Sequence, residues 1–177
     1  MKKAILKCKL KNRDNFEDKL SEIDLDFGAI YWQHDRIYVP RGYKRSMNLP
    51  RLIMRTEMKA VDESPQYSLI LKRHIEDSGV DIVETTPVED YANMVNIILQ
   101  LGFKPIAEVS RRRQELTMGE GTIIYLDEID GRPGEVYAKI ESELVSTDSV
   151  ISAKEDLRKT FATLGETDIV ESSYFEM

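Results

Sequence analysis

At 177 residues, with 41% hydrophobic and 32% charged side chains, the chain is long enough to bury a core and reads as one domain over 1–177. Its net charge of −7 argues against duplex nucleic acid as a partner, since non-specific affinity there comes from Lys and Arg neutralising phosphates. The single cysteine, Cys8, excludes an internal disulfide and, with only His34 and His74, a Cys/His zinc site. A reducing, cytoplasmic setting without a membrane is expected: Lys7 and Lys9 interrupt the N-terminal apolar run too early for a secretion signal, and nothing approaches the roughly 20 apolar residues that span a bilayer.

The first predicted element is a strand over 3–11, where Lys7, Lys9 and Lys11 alternate with Leu6, Cys8 and Leu10. Asp14 and Glu17 then form a capping box, with Phe16, Leu20 and Ile23 at helical spacing and Gly28 as the stop. Strands are predicted over 29–39, 50–58, 66–74 and 80–84, with 40–49 and 59–65 as loops. Thr86, Pro87 and Glu89 read as the start of a second helix carrying Tyr91, Met94, Val95, Ile98 and Leu101 and ending at Gly102. Strands over 105–117, 121–130 and 135–145 follow, joined by turns at 119–121 and 131–134. Ser152 and Glu155 open a third helix burying Leu157, Phe161 and Leu164 before Gly165, and a last strand is predicted over 169–175.

Short connections between successive strands imply antiparallel neighbours, and many such strands with few helices imply an α+β fold: a closed or nearly closed antiparallel barrel of about eight strands with helices packed outside. Strand parity gives one set of faces as Lys7, Lys9, Lys11, Arg51, Arg55, Lys72, Arg111, Arg113, Asp127, Lys139 and Glu141. The opposite faces carry Leu6, Leu10, Leu52, Met54, Leu126, Ala138 and Ile140. A polar interior with an apolar exterior suits a tunnel covered by helices. The charge is also divided along the chain, with 14 Lys and Arg against 8 Asp and Glu in residues 1–60, and 11 against 24 thereafter. A compact anion fits that division better than a long duplex.

Several segments, in order, resemble the CYTH superfamily of triphosphate tunnel enzymes, which includes class IV adenylyl cyclases, thiamine triphosphatases and inorganic triphosphatases. Lys7-Cys8-Lys9-Leu10-Lys11 falls at the place of its first-strand Glu-x-Glu-x-Lys, and Asp35-Arg36-Ile37-Tyr38 is similar to its Asp-Thr-Tyr-Phe segment. Arg51-Leu52-Ile53-Met54-Arg55 resembles Arg-Leu-Lys-Leu-Arg, and Leu69-Ile70-Leu71-Lys72-Arg73 the basic strand after it. Leu101-Gly102-Phe103 with Val109-Ser110-Arg111-Arg112-Arg113 resembles Leu-Gly-Phe followed by Val-x-Lys-x-Arg. Leu126-Asp127-Glu128-Ile129 matches Leu-Asp-Glu-Val, and Ser173-Tyr174-Phe175-Glu176-Met177 is similar to Ser-Tyr-x-x-Leu.

The resemblance implies a tunnel that takes ATP, thiamine triphosphate or tripolyphosphate, with Mg²⁺ or Mn²⁺ if it turns over. It also exposes a departure, because Lys7 and Lys9 stand where the first two metal-binding acids belong and an ammonium cannot ligate a metal. Asp127 and Glu141 are left as candidate metal ligands, with Glu141-Ser142-Glu143 as a shifted pairing of the last strand. Lys7, Lys9, Lys11, Arg51, Arg55, Lys72, Arg111 and Arg113 are the expected phosphate-binding residues. Arg73, Arg112 and Arg132 are expected on the outer surface or in turns, His34 and His74 in structural roles, and Trp32 and Tyr31 either in the core or at an opening that stacks a base. Three functions follow: an anion-binding tunnel with weakened or lost catalysis, an active metal-dependent cyclase or triphosphatase, or an interaction module in which the lysines neutralise a former tunnel. No nucleophile signature and no phosphate-binding loop is present.

Overall fold

The computed structural model describes residues 1–44, 49–60, 63–75, 80–119, 121–144, 150–171 and 173–176, apart from the side chains at 150 and 151. Parts of both predicted loops, Glu120 of the 119–121 turn, Ser172 and Met177 lie outside the described residues. Eight strands, β1 (Lys2–Lys9), β2 (Tyr31–Pro40), β3 (Arg51–Met58), β4 (Gln66–Ile75), β5 (Val80–Val88), β6 (Phe103–Thr117), β7 (Thr122–Ile129) and β8 (Val136–Glu143), close into one antiparallel barrel. Their order around it is β1-β5-β4-β3-β2-β6-β7-β8. Three helices lie outside: α1 (Arg13–Ser21), α2 (Tyr91–Gln100) and α3 (Val150–Thr163). Among the described residues no helix is long and apolar enough to cross a membrane.

The helices explain the inverted barrel. One buried apolar cluster joins Leu6, Cys8, Ile124, Leu126, Ala138 and Ile140 on outward strand positions to Phe16 and Leu20 of α1 and Leu157 and Phe161 of α3. A second places Ile98 of α2, with Tyr91, Met94 and Val95 beside it, over Tyr38, Met54 and Val88. Burying side chains of this size stabilises by roughly 1.5–3 kcal/mol each. The apolar core therefore lies between barrel and helices, and the inward positions are free to be polar.

Local boundaries differ from the sequence reading in several places; α1, read as carrying Ile23 and stopping at Gly28, ends at Ser21. Asn12, not Asp14, caps α1; its backbone is extended and its side chain accepts from the Asn15 amide, while Glu17 pairs with Arg13. β5 runs on through Thr86 and Pro87 to Val88, and Asp90 caps α2 by accepting from the Asn93 amide. Proline is tolerated in β5 because β1 pairs with that strand only from Lys2 to Ala4, so Pro87 sits where only β4 is paired beside it. α3 begins at Val150, two residues before Ser152. In place of a strand over 169–175, Ile169 bridges Cys8, with the Lys9 amide donating to the Asp168 carbonyl and the Val170 amide to the Lys7 carbonyl, both at 2.9 Å. A 3₁₀ turn, Tyr174–Glu176, follows.

These caps are separable by mutation. Asp90→Ala removes the acceptor from an orphan helix donor and is expected to lower stability by about 1 kcal/mol in urea denaturation. Thr86→Ala, on an exposed strand position, is expected to stay within about 0.5 kcal/mol of the parent.

Candidate functional site

The inward faces line a half-open cavity of about 200 Å³. Among the described residues eight cations line it: Lys3 and Lys7 from β1, Arg51 and Arg55 from β3, Lys72 from β4, Arg111 and Arg113 from β6, and Lys139 from β8. Strand alternation selects them, because every second residue of each strand points inward. Six of the eight expected phosphate-binding residues are thereby brought together, and Lys9 and Lys11 are not.

β1 ends at Lys9, whose ammonium lies 2.6 Å from Glu135 with 40% of its side chain exposed. Lys11 lies past the strand, exposed, 3.4 Å from the Thr167 hydroxyl. The inward positions of β1 are instead Lys3, Ile5 and Lys7. Lys3 was missed because the conspicuous Lys-x-Lys-x-Lys run draws the eye four residues too far along. The same parity carried back from Lys7 finds it, since the strand begins at Lys2.

The carboxylates of the interior, Asp35, Asp127 and Glu141, and Asp81 beside them, have cationic partners. Arg55 grips Asp35 through Nε (2.7 Å) and Nη2 (3.0 Å), and Arg111 donates to the same carboxylate and, through Nε at 2.8 Å, to Gln33. Burial alone would raise the Asp35 pKa, but Arg111 and Arg55 outweigh it and hold the group well below the usual carboxylate range. Arg113 forks onto Asp127 at 2.5 and 2.7 Å; burial opposes ionisation of this carboxyl too, yet Arg113 brings it down to about 2. Glu141 accepts from Lys139 at 2.5 Å and Lys3 at 3.0 Å, and Lys72 lies 2.9 Å from Asp81. Burial, reinforced by Arg113, lowers Lys139 to about 7; burial, reinforced by Lys72, lowers Lys7 to about 8.

A hard divalent cation needs several oxygens converging on one point. Here the oxygens of Asp35, Asp127 and Glu141 are directed at guanidinium and ammonium groups, and among the described residues no three Asp, Glu, His or Cys side chains are grouped to hold a metal. The residues present do not fit the metal that the CYTH resemblance implies. Asp127 and Glu141, read from sequence as candidate metal ligands, are counter-ions to Arg113 and to Lys3 and Lys139. The shifted pairing with Glu143 is not realised: Glu143 shares the parity of Glu141 but lies exposed at the end of β8 and does not line the cavity.

The remaining sequence candidates lie elsewhere. His34 meets Ser110 at 2.7 Å on the outer face, and His74 meets Asp81 at 3.0 Å. Tyr31 is buried and donates to Glu115, whereas Trp32 is exposed on the outside of the barrel, so the pair does not form a stacking platform. Arg112 pairs with Glu128 at the surface and Arg132 with Glu135 in the turn. Tyr125, beneath Arg113 (4.2 Å) and Lys139 (4.4 Å), and Tyr174, beneath Lys7 (4.8 Å), are lining residues that the sequence reading of charged side chains passed over, although Tyr125 shares the parity of Asp127.

No protein-family model and no curated protein sequence matches the chain. Solved structures match over nearly its whole length. A Pyrococcus horikoshii protein superposes with a TM-score of 0.83 at 22% identity, covering 98% of this chain and 96% of its own. A proposed adenylate cyclase of Vibrio parahaemolyticus gives 0.79 at 19% identity over 98% and 95%, respectively. A proposed adenylyl cyclase of Hippeastrum, described as having a dominant triphosphatase activity, gives 0.61 at 16% over 99% and 94%. The chain has the CYTH-like triphosphate-tunnel fold.

The Arg113–Asp127 fork supplies a direct test of the buried electrostatics. Arg113→Met leaves a buried carboxylate without its partner and is expected to cost about 3–5 kcal/mol in chemical denaturation, most of it recovered in Arg113→Met/Asp127→Leu. Because the folded pKa of Asp127 lies below its ordinary 3.8, the pair's contribution is complete above that value and is lost as pH falls through about 2.

Proposed function

We propose that this protein binds a compact polyphosphate or triphosphate-bearing anion inside the barrel, without a divalent metal. The observation that carries this reading is the charge imbalance at one cavity. Among the described residues eight cations line it against two lining carboxylates, Asp35 and Glu141, with Asp81, Asp127 and Glu176 close by and Glu57 and Glu115 farther along the interior. Desolvated cations cost several kcal/mol each without compensation, and phosphate oxygens would provide it.

The forks do more than neutralise. Asp35 and Asp127 hold Arg55, Arg111 and Arg113 in fixed orientations, so an arriving anion meets donors that are already placed and loses little to side-chain ordering. Planar guanidinium groups suit bidentate contact with phosphate, and Lys7 and Lys139 add point charges. Lys3, Ile5 and Lys139 occupy inward positions where a metal-dependent site would gather carboxylates, so the geometry supports binding better than the cyclase or triphosphatase chemistry of the alternative reading. The proteins of similar fold described as cyclases, and the one with triphosphatase activity, are consistent with a triphosphate as the ligand class. Fold alone does not assign the reaction.

Tripolyphosphate in the presence of excess chelator is expected to stabilise the protein. At about 100 times the dissociation constant, linkage gives roughly 2.7 kcal/mol, on the order of a 5–10 °C rise in melting temperature for a chain this size. Calorimetry in two buffers of different ionisation enthalpy is expected to show proton uptake near pH 8, because an anion re-protonates Lys139 and Lys7, whose free values are about 7 and 8. The lysine contribution to affinity is therefore strongest below pH 7 and declines as pH rises through that window. An equal thermal shift from sulfate at matched ionic strength would count against the reading.

A second experiment tests the placement of β1. Lys3→Glu/Ile5→Glu puts two carboxylates beside Glu141 and is expected to create Mn²⁺ binding that calorimetry detects, with the wild type as the weaker binder. Unchanged Mn²⁺ affinity would show that these two positions do not converge on Glu141.

A further inference from the structure

The segment that follows the short bridge to β1 enters the cavity wall. Ser173, Tyr174 and Phe175 line the same space as the cations. The Tyr174 ring lies 4.8 Å from the Lys7 ammonium and 5.5 Å from the Arg111 guanidinium, and meets the Tyr137 ring edge-on at 5.7 Å. Phe175 lies 5.2 Å from the Arg51 guanidinium, whose Nη1 also reaches the Ser173 hydroxyl at 3.4 Å. Ring faces hold cations electrostatically without neutralising them.

The position of the segment is set by backbone contacts. The Lys9 and Val170 amides tie it to β1, and the Ser173 amide donates to the Glu176 carboxylate at 2.9 Å to close the turn. With the two rings seated, the cavity has about 200 Å³, below the roughly 300–1,000 Å³ of pockets that enclose drug-sized ligands. An inorganic triphosphate suits such a space, and a whole nucleoside triphosphate does not. Farther along β2, β3 and β6 the inward positions carry Tyr31 hydrogen-bonded to Glu115 and Gln33 hydrogen-bonded to Glu57. Two carboxylates make that end acidic, leaving the end under Tyr174 and Phe175 as the one suited to phosphate.

We propose that Tyr174 and Phe175 are specificity-determining residues that limit the ligand to the size of an inorganic triphosphate, excluding the nucleoside of a nucleotide unless both rings are displaced. This inference rests on the anion-binding reading above and adds the discrimination within that ligand class.

The test is calorimetry with tripolyphosphate and with ATP, both with chelator, on the wild type, on Tyr174→Ala/Phe175→Ala and on Phe175→Ala. The wild type is expected to bind tripolyphosphate at least about tenfold more tightly than ATP, and the double variant to narrow that ratio to about threefold or less by gaining ATP affinity. Phe175→Ala, at the rim, is expected to narrow it partway, and it carries the test should the double variant not fold. Equal affinities in the wild type, or an unchanged ratio in the folded variants, would overturn the size limit while leaving anion binding in place. Failure of tripolyphosphate to bind the wild type would remove the anion-binding reading and this inference with it.

Discussion

A guanidinium group inside a protein must be matched, and the interior of this barrel is organised around that requirement. Moving one ion out of water costs several kcal/mol after relaxation, and Coulomb attraction repays it only when the partner is close and well oriented. Asp35 meets two arginines, Asp127 is clasped by one in a fork, and Glu141 lies between two lysines. These contacts let a row of like charges line one cavity, and they also decide what the carboxylates are no longer available to do. An oxygen engaged by a guanidinium is a poor candidate for a metal.

The same constraint explains why the helices sit where they do. A small barrel usually fills its interior with apolar side chains and presents a polar surface. Here the interior is charged, so the apolar faces of the strands point outward and need cover. α1 and α3 bury Phe16 and Phe161 against β1, β7 and β8, and α2 buries Ile98 against Tyr38 and Met54. Closure removes the sheet edges, and the bridge at Cys8 and Ile169 covers the part of β1 that β5 does not pair. That bridge also delivers Tyr174 and Phe175 to the cavity, so the contact that seals the barrel governs the space left for a ligand.

A negative protein with a positive cavity is electrostatically consistent. The chain carries −7 overall, yet the lining has an excess of cations, and charges inside low-dielectric walls act on a ligand with less screening than charges on the surface. The acidic exterior discourages long polyanions from the outer face. The cavity favours a short one that can enter, and pre-paired arginines keep the ordering cost of its binding low.

Much of this was legible in the sequence because alternation is a local property. Leu6, Cys8, Leu126, Ala138 and Ile140 read as one side of their strands, and Arg51, Arg55, Lys72, Arg111, Arg113 and Lys139 as the other. The short turns implied antiparallel pairing, and the inverted pattern implied outer helices and a tunnel. Parity does not say where a strand stops, so it could not tell that Lys9 and Lys11 lie beyond the enclosed stretch while Lys3 lies within it. Nor does composition distinguish a carboxylate that gathers metal from one that grips an arginine, because Asp127 and Glu141 are equally suited to either. The choice depends on which cation lies within about 3 Å, a distance set by the stagger of β6, β7 and β8 across the closed barrel. The sequence by itself determined which side of each strand is charged and which apolar; the tertiary structure alone decided which of those side chains are enclosed and which of them touch, because both depend on strand ends and on register between strands far apart in the chain.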